Sequence, residues 1–150
     1  MGIDTGDTKK QFIESLGAQY LDFTKSSDLV ADVVSITDGG AHAAVVTSGH
    51  PAAFNHAADV LRIGGALCMV GIPPGDVHLR TPIATIVIKG LRIFGNLVGS
   101  MRETLESVEL VREGKVKPHV EIRQFRELPD IYGMLEKGDI PGRIVLEVGK

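Results

Sequence analysis

At 150 residues the chain has room for one domain with a real core, and 43% hydrophobic against 23% charged residues excludes a disordered chain. A formal net charge of −3, 5% aromatic residues and no basic tract exclude the usual footprint of a nucleic-acid surface. The single cysteine, Cys68, excludes an intrachain disulfide and a multi-cysteine zinc site. Its apolar setting, Ala66 to Val70, predicts a buried, inert thiol and points to a reducing, cytoplasmic compartment. No apolar run approaches the roughly 18 residues of a membrane span, and the acidic, polar N-terminus shows no targeting peptide.

In chain order, Asp7 or Thr8 is suited to cap a helix with Phe12, Ile13 and Leu16 on its apolar face, ended by Gly17. Tyr20 to Phe23 reads as a short strand. Ser27 is placed to cap a second helix with Leu29, Val30, Val33 and Ile36 inward, stopped by Gly39-Gly40. Ala43 to Val46 is apolar on both faces, the pattern of a central parallel strand. Pro51 suits a first helical position, and Phe54, Ala57, Ala58 and Leu61 follow the helical spacing, with Gly64-Gly65 closing that helix. Leu67 to Gly71 is a further apolar strand, followed by a loop through Pro73-Pro74. Val77 to Arg80 reads as a short edge strand and Pro82 as the start of a brief helix. Ile93 to Gly95 continues the sheet. Met101, Leu105, Val108 and Val111 form another helical stripe, closed by Gly114. The tail holds a strand at Val120 to Ile122, a helix with Ile131, Met134 and Leu135 inward, and a last strand from Ile144 to Val148. Strands alternating with helices at this spacing predict an α/β fold with a mostly parallel sheet and flanking helices.

The stretches IDTGDTKKQFIESLGA, TDGGAHAAVV, VGIPPG, the VKP at Val116 to Pro118 and LEKGDIPGRIVLEV carry a resemblance. Together they resemble the C-terminal part of zinc-containing medium-chain alcohol dehydrogenases, of the yeast and fungal type, over essentially the whole chain. The resemblance implies a Rossmann-like sheet that lacks its first strand and glycine-rich loop. It also implies a split: residues 1–98 would be a partial NAD-binding domain, and residues 99–150 a segment that in the family returns to the catalytic domain. The family's zinc ligands have no counterpart here, so no zinc and no catalytic residue is expected. The expectation is a truncated NAD(H)-binding portion of such an enzyme, inactive alone. Against it stand a non-enzymatic interaction module and a fragment or gene-model truncation. Self-association is expected through the segment 77–80, which matches the family's intersubunit edge, or through uncovered apolar faces near Val120, Ile122, Ile144 and Leu146. Neither nucleic acid nor membrane is an expected partner.

The resemblance also gives candidate cofactor contacts. Asp4 would accept the adenosine ribose hydroxyls and repel a 2′-phosphate, favouring NAD over NADP; by position alone it is an ordinary turn or cap acid. Lys9 matches a lysine near that ribose, with a solvated helix lysine as the alternative. Thr47 and Ser48 end a strand, where parallel sheets bind ligands, and would equally serve as a cap for the helix at Pro51. Val70, Gly71 and Ile72 match backbone that faces the nicotinamide carboxamide in the family, and they suit core packing as well. Phe94 to Val98 match the nicotinamide side, although Asn96-Leu97 stands where the family more often has Ser-Tyr. Arg143 matches an arginine near the pyrophosphate, which its guanidinium fork suits, with a surface ion pair as the alternative. His50 and His56 are six apart and lack the spacing of a helical metal pair.

Overall fold

The computed structural model describes residues 1–140 and 142–149. They form two compact units, one of residues 1–22 with 99–149 and one of residues 23–98.

The first unit opens with β1 (Gly2–Asp4), α1 (Asp7–Ser15) and β2 (Tyr20–Asp22), a β-α-β unit whose strands pair in parallel. Ile13 reaches back over Gly2, where a Cβ would lie 2.9 Å from its side chain. The predicted cap at Asp7 or Thr8 is not used. Gly6 is the N-cap and no side chain caps the helix.

The second unit runs α2 (Leu29–Ile36), β3 (Ala41–Val46), α3 (Pro51–Asp59), β4 (Leu61–Met69), α4 (Ile83–Lys89) and β5 (Arg92–Gly95). Asp28, rather than Ser27, caps α2 by accepting the Ala31 N–H at 3.0 Å. Val33 of α2 is buried, whereas Ile36 faces solvent. The sheet is parallel in the order β3-β4-β5. Contrary to the expectation for an all-apolar run, β3 is an edge and β4 the centre. Which strands flank a run is decided by non-local pairing, which composition does not encode.

Side chains alternate across a strand. The row Ala44, Leu67 and Ile93 belongs to the core, built around Val46, Phe54, Ala58, Leu61, Leu67 and Leu91 beneath α3 and α4. The next row, Val45, Cys68 and Phe94, lies on the other face, where Val45 is 65% exposed. Cys68 is consequently only half-buried, not enclosed as its sequence setting predicts. Gly64-Gly65 does not close a helix. α3 ends at Asp59, and both glycines lie inside β4, where the register slips from Ala41↔Leu61 to Ala43↔Ala66. Such a bulge adds residues to one strand and bends it. The predicted edge strand Val77 to Arg80 is not a strand; it is irregular chain, held at one point by the Arg80 N–H to Asn55 Oδ1 at 2.9 Å.

The chain returns to the first unit with α5 (Met101–Arg112), β6 (Val120–Gln124), a 3-10 turn (Phe125–Glu127), α6 (Leu128–Lys137) and β7 (Arg143–Glu147). α5 begins with a capping box. The Ser100 Oγ accepts the Glu103 N–H, and Glu103 Oε2 accepts the Ser100 N–H at 2.6 Å. The Ser100 N–H, with the Ser100 hydroxyl beside the same carboxylate, holds the Glu103 carboxyl below its ordinary pKa. The apolar stripe of α5 is amphipathic as predicted, yet Met101, Leu105 and Val108 face solvent. In α6, Ile131 is buried while Leu135 is exposed. β6 and β7 pair in parallel. Of the faces expected to lack cover, Val120 and Ile122 are exposed, whereas Ile144 and Leu146 are half-buried. Pro141, in the motif before Arg143, lies outside the described residues.

Candidate functional site

In the first unit, β1 delivers Asp4 to its C-terminal end, where parallel strands present ligand-binding groups. The Asp4 Oδ1 accepts the Thr5 N–H at 2.8 Å and the Lys9 ammonium at 3.0 Å. Lys9 reaches it from the first turn of α1, five residues on. Both side chains are more than a third exposed, so the pair contributes little to stability. It does hold a carboxylate in a fixed direction, with further acceptor capacity for hydroxyls. Arg143 stands at the start of β7, opposite Val120, and its N–H donates to the His119 carbonyl. That is a different sheet from the one carrying Asp4.

In the second unit, the ends of β3 and β4 cross closely. The N–H groups of Val70 and Gly71 both donate to the Val46 carbonyl at 2.9 Å. A Cβ on Gly71 would lie 2.1 Å from the Ser48 carbonyl oxygen, so only glycine fits here. Thr47 and Ser48 are therefore brought against Gly71. Ser48 does not cap α3. Its Oγ accepts the His50 N–H at 3.0 Å, and His50 itself is the N-cap, its Nδ1 accepting the Ala52 N–H at 3.3 Å.

Beyond this crossing lies a mainly apolar cavity of about 420 Å³. Val70, Gly71 and Ile72 form one wall, Asn96 and Leu97 another, with Phe54 between the elements. Val98, which follows, is 82% exposed and has a φ of 51°. A β-branched residue in the left-handed region carries about 1–2 kcal/mol of strain. Asn96 braces that turn: its N–H donates to the Met69 carbonyl at 2.9 Å, and its Nδ2 to the Val98 carbonyl at 3.4 Å. In the sequence Phe54 reads only as part of an apolar helical face, and Asn96 and Leu97 only as part of the segment Phe94 to Val98. A polar residue directly after a strand end is the signal that singles out Asn96 within that segment.

The cavity suits a flat ring with a polar edge, and Asp4 with Lys9 suits a diol. Among the described residues, no three His, Cys, Asp or Glu side chains come together to hold a metal ion. No helix among the described residues is long and apolar enough to cross a membrane.

Residues 1–113 match the zinc-binding dehydrogenase family. The chain is 38% identical over 151 aligned positions to an alcohol dehydrogenase of Schizosaccharomyces pombe, covering 100% of this chain and 43% of that one. It is also 38% identical to alcohol dehydrogenase 1 of Emericella nidulans, covering 99% of this chain and 43% of that protein. The chain thus spans less than half the length of these relatives. Among solved structures, it superposes on the alcohol dehydrogenase of Aeropyrum pernix with a TM-score of 0.85 and 33% identity, covering 96% of this chain and 41% of that one. It superposes on an NAD-dependent alcohol dehydrogenase with a TM-score of 0.84 and 25% identity, covering 98% of this chain and 43% of that one. A Rossmann-like α/β fold with parallel strands and flanking helices, matched over three quarters of its length by one family, places the chain: it belongs to the zinc-binding dehydrogenases.

Proposed function

We propose that these residues are the NAD(H)-binding portion of an alcohol dehydrogenase and carry no catalytic residue of their own. The observation that supports this most is Asp4. It is a carboxylate at the C-terminal end of a parallel strand, braced by the Thr5 N–H and Lys9, in a chain similar to an NAD-dependent alcohol dehydrogenase. On this reading Asp4 accepts the two adenosine ribose hydroxyls. Its charge disfavours the 2′-phosphate of NADP, with Lys9 beside the same sugar. Val70, Gly71 and Ile72 offer backbone groups to the nicotinamide carboxamide, Val98 bounds that side, and Thr47 and Ser48 line the strand-end crevice. Arg143 pairs with the pyrophosphate. Bound cofactor supplies a hydride acceptor at its nicotinamide ring, and alcohol oxidation to aldehyde or ketone belongs to the complete enzyme. Residues 1–98 then act as the coenzyme-binding part and residues 99–150 as the segment that packs on a catalytic domain, with the whole in the cytoplasm.

The test is a titration of the 150-residue chain with NADH and with NADPH, followed by cofactor fluorescence, beside Asp4→Ala. The expected result is preference for NADH, with NADH affinity falling about tenfold or more in the variant while the preference disappears. Equal affinity for both cofactors in the unaltered chain, or an unchanged preference in the variant, would contradict the role of Asp4.

A further inference from the structure

The turn from β1 into α1 carries Asp4, yet it lacks the usual brace. Gly6 serves as N-cap at φ 95°, ψ 148°, a region open essentially to glycine alone, and no side chain caps the helix. The support comes from the neighbouring strand. Tyr20 of β2 lies opposite Gly2, two residues before Asp22, which lies opposite Asp4. Its hydroxyl is 3.1 Å from the Asp4 carbonyl oxygen and 3.4 Å from the Gly6 carbonyl oxygen. A phenol has one proton, so a single donor is shared by two carbonyls on either side of the turn, with the Asp22 carboxylate as a further acceptor beside them. Partial burial, then the Asp22 and Asp4 carboxylates, raise the phenol above its ordinary pKa, so it remains a donor through neutral and mildly alkaline pH.

We propose that Tyr20 is a positioning residue for Asp4: its hydroxyl ties the Asp4 and Gly6 carbonyls together and so fixes the direction in which the Asp4 carboxylate meets a ribose diol. This rests on the reading of Asp4 as the ribose acceptor and deepens it. The Thr5 N–H and Lys9 orient the carboxylate against its own backbone, and Tyr20 orients that backbone against the sheet. Two hydroxyls received by one carboxylate need both restraints, because small angular errors cost much of a two-point contact.

Tyr20→Phe keeps the ring and removes only the shared donor. The expected result is a fall of about fivefold to tenfold in NADH affinity with NADPH affinity unchanged, so that the preference narrows by the same factor. A role in stability alone would not move that ratio. In an Asp4→Ala background the same substitution is expected to leave NADH affinity unchanged, since the group it positions is gone. Equal loss for both cofactors, no loss, or an undiminished loss without Asp4 would overturn the inference. An unaltered chain that binds neither cofactor would overturn the Asp4 reading, and this inference with it. A chain that prefers NADH, with Tyr20→Phe leaving the preference intact, would overturn this inference alone.

Discussion

Gly71→Ala is expected to destabilise the protein by about 3–5 kcal/mol, more than core overpacking usually costs. The reason is what the new methyl group meets. Its nearest atoms are the Ser48 carbonyl oxygen at 2.1 Å, the Ser48 carbonyl carbon at 2.7 Å and the Thr47 carbonyl carbon at 2.9 Å. All three are backbone, so no rotamer change relieves the contact. The ends of β3 and β4 must separate, and separation threatens the two bonds from Val70 and Gly71 to the Val46 carbonyl. Each such bond is worth about 1 kcal/mol net. A loss of about 3 kcal/mol lowers the melting temperature of a chain of this length by about 6–12 °C, which thermal unfolding followed by circular dichroism will read. Gly133→Ala is the matched control. It lies within α6, with open space where a Cβ would go, and is expected to raise stability by about 0.5–1 kcal/mol. A melting temperature for Gly71→Ala within a few degrees of the parent would show that the strand ends do not cross so closely.

Leu67→Ala is the second large effect, expected at about 3 kcal/mol within the range of about 2–5 for buried leucines. Leu67 is fully buried, at 0% exposure, in the middle of the central strand. It packs among Val46, Phe54, Ala58, Leu61 and Leu91, which are fixed to one helix, two strands and the short connection between α4 and β5. These neighbours have little freedom to close over a vacancy, so the cavity cost adds to the lost transfer energy. Ile63, in the bulged part of the same strand, is 79% exposed, and Ile63→Ala is expected to change stability by less than about 0.5 kcal/mol. Urea unfolding of the two variants side by side gives the comparison. Equal midpoints would contradict the assignment of one side chain to the core and the other to solvent.

The helical faces were legible where apolar spacing coincides with burial. Phe54 and Ala58 lie one turn apart on α3 and are both buried. Leu61 extended the same spacing but is the first residue of β4, because a helical period and a strand start look alike over one residue. Gly64-Gly65 reads equally as a helix stop and as a bulge, and only the pairing partner Ala41 distinguishes them. The stripe of α5 shows the limit of periodicity: spacing tells which residues share a face, not what covers it. In the site, Asp4 and Lys9 were visible through the resemblance, and their mutual ion pair is what the structure adds. Tyr20 was read only as part of a strand. Its hydroxyl acts on carbonyls sixteen and fourteen residues earlier, a relation that parallel pairing creates and local sequence does not display.

The central claim is that these residues bind NADH through Asp4 at the end of β1. Its most direct test is to follow the backbone amide resonances of the isotope-labelled chain while NADH is added. A saturable shift is expected at Thr5, whose N–H shares the Asp4 carboxylate, and is expected to be lost in Asp4→Ala. No shift at Thr5 at millimolar NADH, or the same saturable shift in Asp4→Ala, would contradict it.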